Sequence, residues 1–100
     1  MVYNEFLSGT ADPTGTIIFT GTPGGANIYS LRFNNSVAYD ITVSRFDELT
    51  GTSIDLYTLN LAAGDTVTDS YTYILKENDY IQVTSSIAGT IYTGLVNYTT

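Results

Sequence analysis

The stretch LAAGDTVTDSYTYILKENDYIQVTSS, from Leu61 to Ser86, decides the fold class of this chain. It contains two pairs of turn formers, Gly64-Asp65 and Asn78-Asp79, and each pair precedes a run rich in β-branched and aromatic residues. The stretch therefore predicts turn, strand, turn, strand, with strands at 66–75 and 80–85. A hairpin of this kind covers a core on one side and carries no chemistry of its own.

Runs rich in β-branched and aromatic residues recur on both sides of this hairpin, and apolar and polar side chains alternate clearly at 28–33 and 39–44. These runs predict further strands at 16–20, 28–33, 39–44, 53–61 and 90–98, separated by turns rich in glycine, proline and asparagine. About seven strands without a helix predict an all-β fold, an antiparallel β-sandwich or small jelly roll.

Some strands have an irregular pattern. In the 53–61 strand the apolar parity changes, so we expect a bulge or bend near Leu56. Arg45 falls on the apolar parity of the strand before it, which suggests that this strand has left the core by then. Two faces are predicted to be apolar, one with Tyr29, Leu31 and Phe33, the other with Val67, Tyr71, Tyr73 and Leu75.

The last strand is apolar on both faces. Ile91 and Leu95 share one face, and Tyr92, Val96 and Tyr98 share the other. A strand of this kind is either central in its sheet or covered by a partner.

Residues 1–15 contain glycine, proline and small polar residues without sustained alternation, which predicts an extended N-terminal arm before a sandwich domain at 16–100. The arm has an apolar patch that either packs against its own sandwich or docks onto a neighbouring subunit. Together with the last strand it gives a predicted assembly interface of Val2, Tyr3, Phe6, Leu7, Tyr92, Val96 and Tyr98. Few lysines or prolines protect the edge strands, which favours self-assembly into a homo-oligomer.

Composition disfavours several classes of function. The chain has no cysteine, histidine or tryptophan, so it lacks the commonest general base, the commonest zinc ligands and a reactive thiol. A net charge of −7 repels nucleic acid and anionic membranes, so neither is an expected partner. With no basic and apolar leader and no long apolar run, we expect a protein made in a cytoplasm.

The acidic residues and tyrosines are the remaining candidates for chemistry. Asp47-Glu48, Asp65, Asp69 and Asp79 lie at or near predicted turns, where aspartates bond their own backbone, and catalysis would need a cleft that pairs two of them. Calcium would suit such oxygen ligands, but its loop pattern does not occur. We therefore predict no catalytic residue, metal or cofactor. The tyrosines are either core residues or a sugar-binding platform.

The order of segments resembles small β-sandwich structural proteins of tailed bacteriophage particles, across about residues 17–98. The resemblance rests on these runs: Thr20-Gly21-Thr22-Pro23-Gly24-Gly25, Ile28 to Ser36, Ile41-Thr42-Val43-Ser44, Leu61 to Val67, and Asp79 to Thr90. The turn Lys76-Glu77-Asn78-Asp79 departs from the Ala-Gly-Asp type found there and keeps only the aspartate. The segment before Thr16 has no counterpart.

The resemblance implies a virion protein without enzymatic activity. It would be an auxiliary or decoration protein of the capsid, or a subunit of a head or tail fibre, made in the host cytoplasm. Its partners would be other virion proteins, namely major capsid, vertex or tail proteins. The alternative function is a carbohydrate- or receptor-binding β-sandwich module that uses exposed tyrosines.

Overall fold

The computed structural model describes all 100 residues and confirms the all-β sandwich, with two antiparallel sheets and no helix. Nine strands form instead of about seven. Their bounds are β1 Val2–Ala11, β2 Thr16–Thr20, β3 Ala26–Asn34, β4 Tyr39–Asp47, β5 Thr52–Leu61, β6 Thr66–Asp69, β7 Tyr73–Leu75, β8 Tyr80–Ser85 and β9 Thr90–Thr99. The bounds of β2 and β8 match the predicted strands at both ends.

The strand order is that of a jelly roll. Sheet 1 has the order β1, β9, β3, β6, with β7 beside β6 on the same edge of β3, and sheet 2 has the order β2, β8, β4, β5. The strands β1 and β2 lie along one side of the sandwich and contact each other. The strands β5, β6 and β7 are the edges on the opposite side, so four sheet edges have no neighbouring strand.

The core lies between the two sheets because each strand buries alternate side chains. It consists of 15 buried hydrophobic residues, in which β3, β4, β8 and β9 supply most of the side chains. The largest that are fully buried are Phe33, Ile28, Leu31, Ile41, Leu75 and Ile81. At about 25 cal/mol per Å² of buried apolar surface, these side chains supply the main stabilisation of the fold.

Residues 2–11 form strand β1, so the prediction of an arm rather than a strand is wrong for these residues. Ten residues of β1 pair in continuous antiparallel register with β9, from Val2 opposite Thr99 to Ala11 opposite Thr90. As an edge strand, β1 buries only its C-terminal end, which is why its sequence shows no sustained alternation.

The predicted strand at 66–75 is interrupted at residues 70–72, and this break together with β1 accounts for the two additional strands. The side chain of Asp69 is buried at the end of β6 and accepts a hydrogen bond from the Tyr71 backbone N–H at 2.7 Å. This turn reverses the local pattern, so Tyr71 is 68% exposed. The prediction that Tyr71 shares the buried face of Tyr73 and Leu75 is therefore wrong.

Register shifts in β3 and β5 decide which side chains of these two strands face the core. In β3 an extra residue at Ser30, with φ of 56°, turns Tyr29 to the outer face and places Ile28 with Leu31 in the core. The predicted apolar face of β3 is therefore wrong at Tyr29. In β5 the predicted bulge is confirmed, because Val43 pairs with Tyr57 and Ser44 with Asp55, which leaves Leu56 as the extra residue.

Strand β4 continues to Asp47, but its last residue in the hydrophobic core is Val43, so the prediction that the strand has left the core by Arg45 is confirmed. Arg45 keeps its inward parity because its guanidinium pairs with the buried carboxylate of Asp79. The last strand β9 is central in sheet 1, between β1 and β3, which confirms the first of the two predicted explanations for its apolar pattern.

Candidate assembly surface

The seven residues predicted as an assembly interface fall into exposed, buried and half-buried groups. Val2 and Phe6 are exposed, at 64% and 86%, and Tyr3 is partly exposed. Tyr92 and Val96 are core residues, so neither is available to a partner in this fold. Leu7 and Tyr98 are half-buried and pack against the core.

Aromatic stacking and a hydrogen bond attach the start of β1 to its own sandwich. The rings of Tyr3 and Tyr98 stack with their centroids 5.1 Å apart, and the Tyr98 hydroxyl donates to Glu5 Oε1 at 2.7 Å. Tyr3 and Leu7 thus pack against this chain, while the side chains of Val2 and Phe6 lie on the outer face of sheet 1.

Phe6 begins a row of three apolar side chains across sheet 1. It lies opposite Leu95, which lies opposite Tyr29, and all three are on the outer face; we call them the outer apolar row. In the adjacent row, Asn27 Nδ2 donates to Asn97 Oδ1 at 3.0 Å. The outer face of sheet 1 therefore offers one apolar strip beside amides, on strands that are rigidly paired.

The free edge of sheet 2, strand β5, carries a second exposed apolar surface. Ile54 and Leu56 are 62% and 43% exposed, and Leu59 is partly exposed. The only charge in the strand is Asp55, whose Oδ1 accepts a hydrogen bond from the Ser44 hydroxyl at 2.7 Å. Natural edge strands are usually protected by lysine, proline or short length, and β5 has none of these features.

A groove opens between β5 and the break that separates β6 from β7. Its volume is about 470 Å³, and its walls include Leu56 and Tyr57 on one side and Tyr71 and Ile74 on the other. Arg45 closes part of the groove. The groove exists because the short strands β6 and β7 do not cover the whole length of β5.

A buried carboxylate joins the two walls of this groove. Asp69 Oδ2 accepts hydrogen bonds from the hydroxyls of Tyr57, at 2.5 Å, and Tyr73. Burial raises the pKa of both phenols, and the hydrogen bond with Asp69 raises each pKa further. The phenols stay protonated at ordinary pH, so the cluster links β5 to sheet 1 and supplies no nucleophile.

The second buried carboxylate, Asp79, lies at the turn between β7 and β8. It accepts hydrogen bonds from Arg45 Nη2 at 2.9 Å, from the Glu48 backbone N–H at 3.0 Å and from the Lys76 backbone N–H at 3.2 Å. Burial alone would raise the pKa of Asp79, but these donors outweigh it and lower the pKa. Gly21 approaches this turn so closely that a Cβ there would overlap the Lys76 carbonyl oxygen.

Aspartates at turns accept hydrogen bonds from the nearby backbone, as the sequence predicted for Asp47, Asp69 and Asp79. Asp47 Oδ1 accepts a hydrogen bond from the Leu49 backbone N–H at 3.0 Å, as expected of a turn aspartate. No three acidic side chains converge in a geometry that suits a metal ion. The chain also forms no helix with the length and hydropathy required to cross a membrane.

Sequence reasoning missed the β5 edge and the groove as surfaces. A signal was present, since Ile54 and Leu56 lie on one parity and Tyr57 and Leu59 on the other, without any lysine or proline. The groove forms because the strand predicted at 66–75 is interrupted after the buried Asp69, and sequence periodicity does not reveal this interruption.

No protein-family model matches the sequence, and no curated protein is significantly similar to it. Solved structures with this fold do exist. A structure of Bacillus endospore appendages, described as disulfide-linked pili, is 17% identical with a TM-score of 0.53, covering 99% of this chain and 87% of that one. This chain has no cysteine and forms no disulfide.

Two further structures share the fold with different coverage. Murine APRIL is 15% identical with a TM-score of 0.52, covering 93% of this chain and 98% of that one. A chain of infectious bursal disease virus, Gx strain, is 13% identical with a TM-score of 0.50, covering 98% of this chain but 33% of that one. None of the three is from a tailed bacteriophage, and identities this low establish only that this chain shares the jelly-roll fold of a pilus protein and a viral protein.

Proposed function

We propose that this protein is a non-enzymatic structural subunit of a bacteriophage particle, an auxiliary or decoration protein of the capsid or a subunit of a head or tail fibre. The observation that carries the proposal is the number of sheet edges without protection. The only lysine and both prolines lie outside the strands, so no strand carries either residue at its edge. A chain with such edges is suited to repeated contacts with neighbouring subunits.

Charge and fold support the same role. A net charge of −7 keeps the free subunit soluble while the apolar contact surfaces remain small and local. The jelly roll is also the fold of a chain from disulfide-linked pili and of a chain from a virus. The proposed partners are capsid, vertex or tail proteins and further copies of this chain, and the proposed location is the virion.

Immunogold electron microscopy tests the location of the protein. Antibody against the purified protein should label particles from the source culture. Label spread over heads supports a decoration protein, and label confined to a vertex or tail supports a fibre or tail subunit. Particles that contain the other structural proteins but bind no label would contradict the virion role.

A point substitution tests the N-terminal surface better than deletion of residues 1–15. Deletion would remove β1 and uncover β9, so the sandwich itself would be damaged. Phe6→Asn removes the exposed end of the outer apolar row and should reduce incorporation into particles at least about tenfold, the effect of losing an interface anchor. Leu49→Asn is the matched control, because Leu49 is 83% exposed in the turn after β4. Equal incorporation of both variants would exclude the outer apolar row as the contact.

The alternative function, a carbohydrate- or receptor-binding module, is supported by one observation. Tyr71 is 68% exposed beside the groove, where its ring is available to stack on a sugar. Saccharide binding measured by calorimetry should then be weakened at least about tenfold by Tyr71→Ala. An inert glycan array would exclude this alternative.

A further inference from the structure

Strand β5 has one side that is fully paired and one side that is fully open. All nine residues of β4 pair with it, and no strand lies beyond it in sheet 2. Its ten residues include one charge, Asp55, whose carboxylate is already bonded to Ser44 of the same chain. The open side presents a long row of backbone donors and acceptors next to exposed apolar side chains, which is a template for another strand.

The bulge gives β5 an unusual symmetry. Tyr57 and Leu59 lie opposite the buried residues Val43 and Ile41, so both face inward. Beyond the bulge, Ile54 also faces inward, because it lies opposite Arg45, which in turn lies opposite the buried Ile81.

As a result, the apolar pattern of β5 is a palindrome. From Ile54 to Leu59 the residues are apolar, polar, apolar, apolar, polar, apolar, and the pattern reads the same in both directions. A regular strand of six residues does not have this property, since its two ends face opposite sides. The bulge at Leu56 therefore lets two identical strands meet with matching faces.

We propose that two copies of this protein pair antiparallel through β5, about a two-fold axis that passes between Leu56 and Tyr57. In this register Ile54 lies opposite Leu59 of the second copy, and Asp55 lies opposite Thr58 of the second copy. The two copies of sheet 2 join into one continuous sheet with four strands from each copy. The contact is isologous and closes as a dimer.

Electrostatics and burial both favour this register. The two Asp55 carboxylates face threonines instead of each other, so no two like charges lie directly opposite one another in the contact. Ile54 and Leu59 cover each other's exposed surface, and Leu56 extends the contact to the groove. This dimer rests on the proposed structural role, for which it supplies the homo-oligomeric step.

Cysteine cross-linking tests the register directly, because the protein has no cysteine of its own. In the variant Ile54→Cys with Leu59→Cys, each new thiol lies opposite a thiol of the second copy, at about 4.5–5.5 Å between Cα atoms, and a disulfide needs 4.4–6.8 Å. The two thiols within one chain are about 16 Å apart and cannot react with each other.

Mild oxidation should therefore convert most of the double variant into a covalent dimer with the bond between positions 54 and 59, identified by mass spectrometry. Ile54→Cys alone lies opposite Leu59 of the second copy and should stay largely uncross-linked. Ile17→Cys is the matched control on the free edge strand β2, since Ile17 is 51% exposed. The proposal is wrong if the double variant cross-links no faster than these controls.

Charge substitution tests the same register without cross-linking. Ile54→Lys places a cation against Leu59 of the second copy and should raise the dimer dissociation constant at least about tenfold by sedimentation velocity. The double variant Ile54→Asp with Leu59→Lys places opposite charges across the axis, so its dimer should be much tighter than the dimer of Ile54→Asp alone. Ile17→Lys should leave the dimer unchanged, and far-UV circular dichroism verifies that each variant is folded.

Other outcomes would overturn the proposal. A monomeric native protein at high micromolar concentration excludes the dimer, and assemblies that keep growing with concentration indicate head-to-tail pairing with another edge instead. Loss of affinity with Ile17→Lys would place the contact on β2. The dimer can fail while particles still carry gold label, and particles can be unlabelled while the dimer forms, so these tests are separate from the test of the virion role.

Discussion

Two buried aspartates, Asp69 and Asp79, are compensated for the loss of water around their carboxylates in different ways. Asp79 is compensated by the guanidinium of Arg45 and by two backbone N–H groups. Asp69 has no cation and accepts hydrogen bonds from two tyrosine hydroxyls and one backbone N–H. Loss of Asp79 leaves an uncompensated charge, whereas loss of Asp69 leaves only neutral donors without acceptors.

The two clusters also occupy different parts of the fold. Asp79 holds the β7–β8 turn against Gly21, whose backbone N–H donates to the Asp79 carbonyl oxygen at 2.7 Å. Asp69 connects β6 to Tyr57, which lies in the free edge strand β5. The ion-paired cluster of Asp79 therefore fixes the scaffold, and the cluster of Asp69, whose donors are all neutral, holds in place the strand that we propose as the dimer contact.

The largest effect is expected for Asp79→Ala. This change leaves Arg45 and two backbone N–H groups without their acceptor, and it should lower the free energy of unfolding by about 3 kcal/mol. Urea denaturation measures this value. Asp40→Ala is the control, because Asp40 is exposed and its carboxylate makes no hydrogen bond, so a change within about 0.5 kcal/mol is expected. Equal losses in the two variants would show that the Arg45 pair and the two backbone hydrogen bonds contribute nothing to stability.

The contribution of Asp79 should also depend on pH. Its folded-state pKa lies below the ordinary value of 3.8, so the folded protein binds this proton less readily than the unfolded chain does. The stabilisation is complete above that ordinary value and is lost as the pH falls through the folded-state pKa. Asp79→Asn should flatten the acid limb of the stability curve, and an acid limb with unchanged slope would assign acid unfolding to other carboxylates.

A smaller loss is expected for Asp69→Ala. Two tyrosine hydroxyls and the Tyr71 backbone N–H lose their acceptor, but no charge is left unpaired, so the free energy of unfolding should fall by about 2 kcal/mol. Asp69→Asn keeps one acceptor oxygen and should lose less. If Asp69→Ala costs more than Asp79→Ala, the distinction between the ion-paired cluster and the cluster with neutral donors is wrong.

The sequence predicted elements whose signals are local. Strands β2 and β8 were predicted correctly at both ends because turn formers bound them, and the bulge at Leu56 was predicted because it changes the apolar parity. In each case the pattern that decides the structure lies within about ten residues of the chain. Pattern reasoning works where local preference and tertiary packing agree.

The errors occurred where a distant partner decides the structure. Strand β1 exists because it pairs with β9 at the other end of the chain, and its own pattern is that of an exposed edge. Tyr29 was assigned to the wrong face because the bulge beside it uses Ser30 at positive φ, where glycine would have given a signal.

The same limit applies to the candidate surfaces. Val2 and Phe6 were predicted as contact residues and are exposed, since apolar residues in a polar segment are a local signal. Tyr92 and Val96 were predicted from the two-sided pattern of β9, and the central position of that strand buries them. The groove beside β5 depends on the break between β6 and β7, which only the folded chain reveals.

The smallest effect is expected for Tyr57→Phe, which removes one of the two hydroxyls from Asp69. Loss of one hydrogen bond should lower the free energy of unfolding by about 1 kcal/mol near neutral pH. Tyr71→Phe is the control, because the Tyr71 hydroxyl makes no hydrogen bond, and it should change stability by less than about 0.5 kcal/mol. Because the folded-state pKa of Tyr57 lies above the ordinary value of 10.0, the native protein should also lose stability as the pH rises beyond that value. Phenylalanine does not ionise, so Tyr57→Phe should be less stable than the native protein at pH 7, and the difference in the free energy of unfolding should narrow above pH 10. A difference that stays constant would mean that the Tyr57 hydroxyl is as easily ionised in the folded protein as in the unfolded chain.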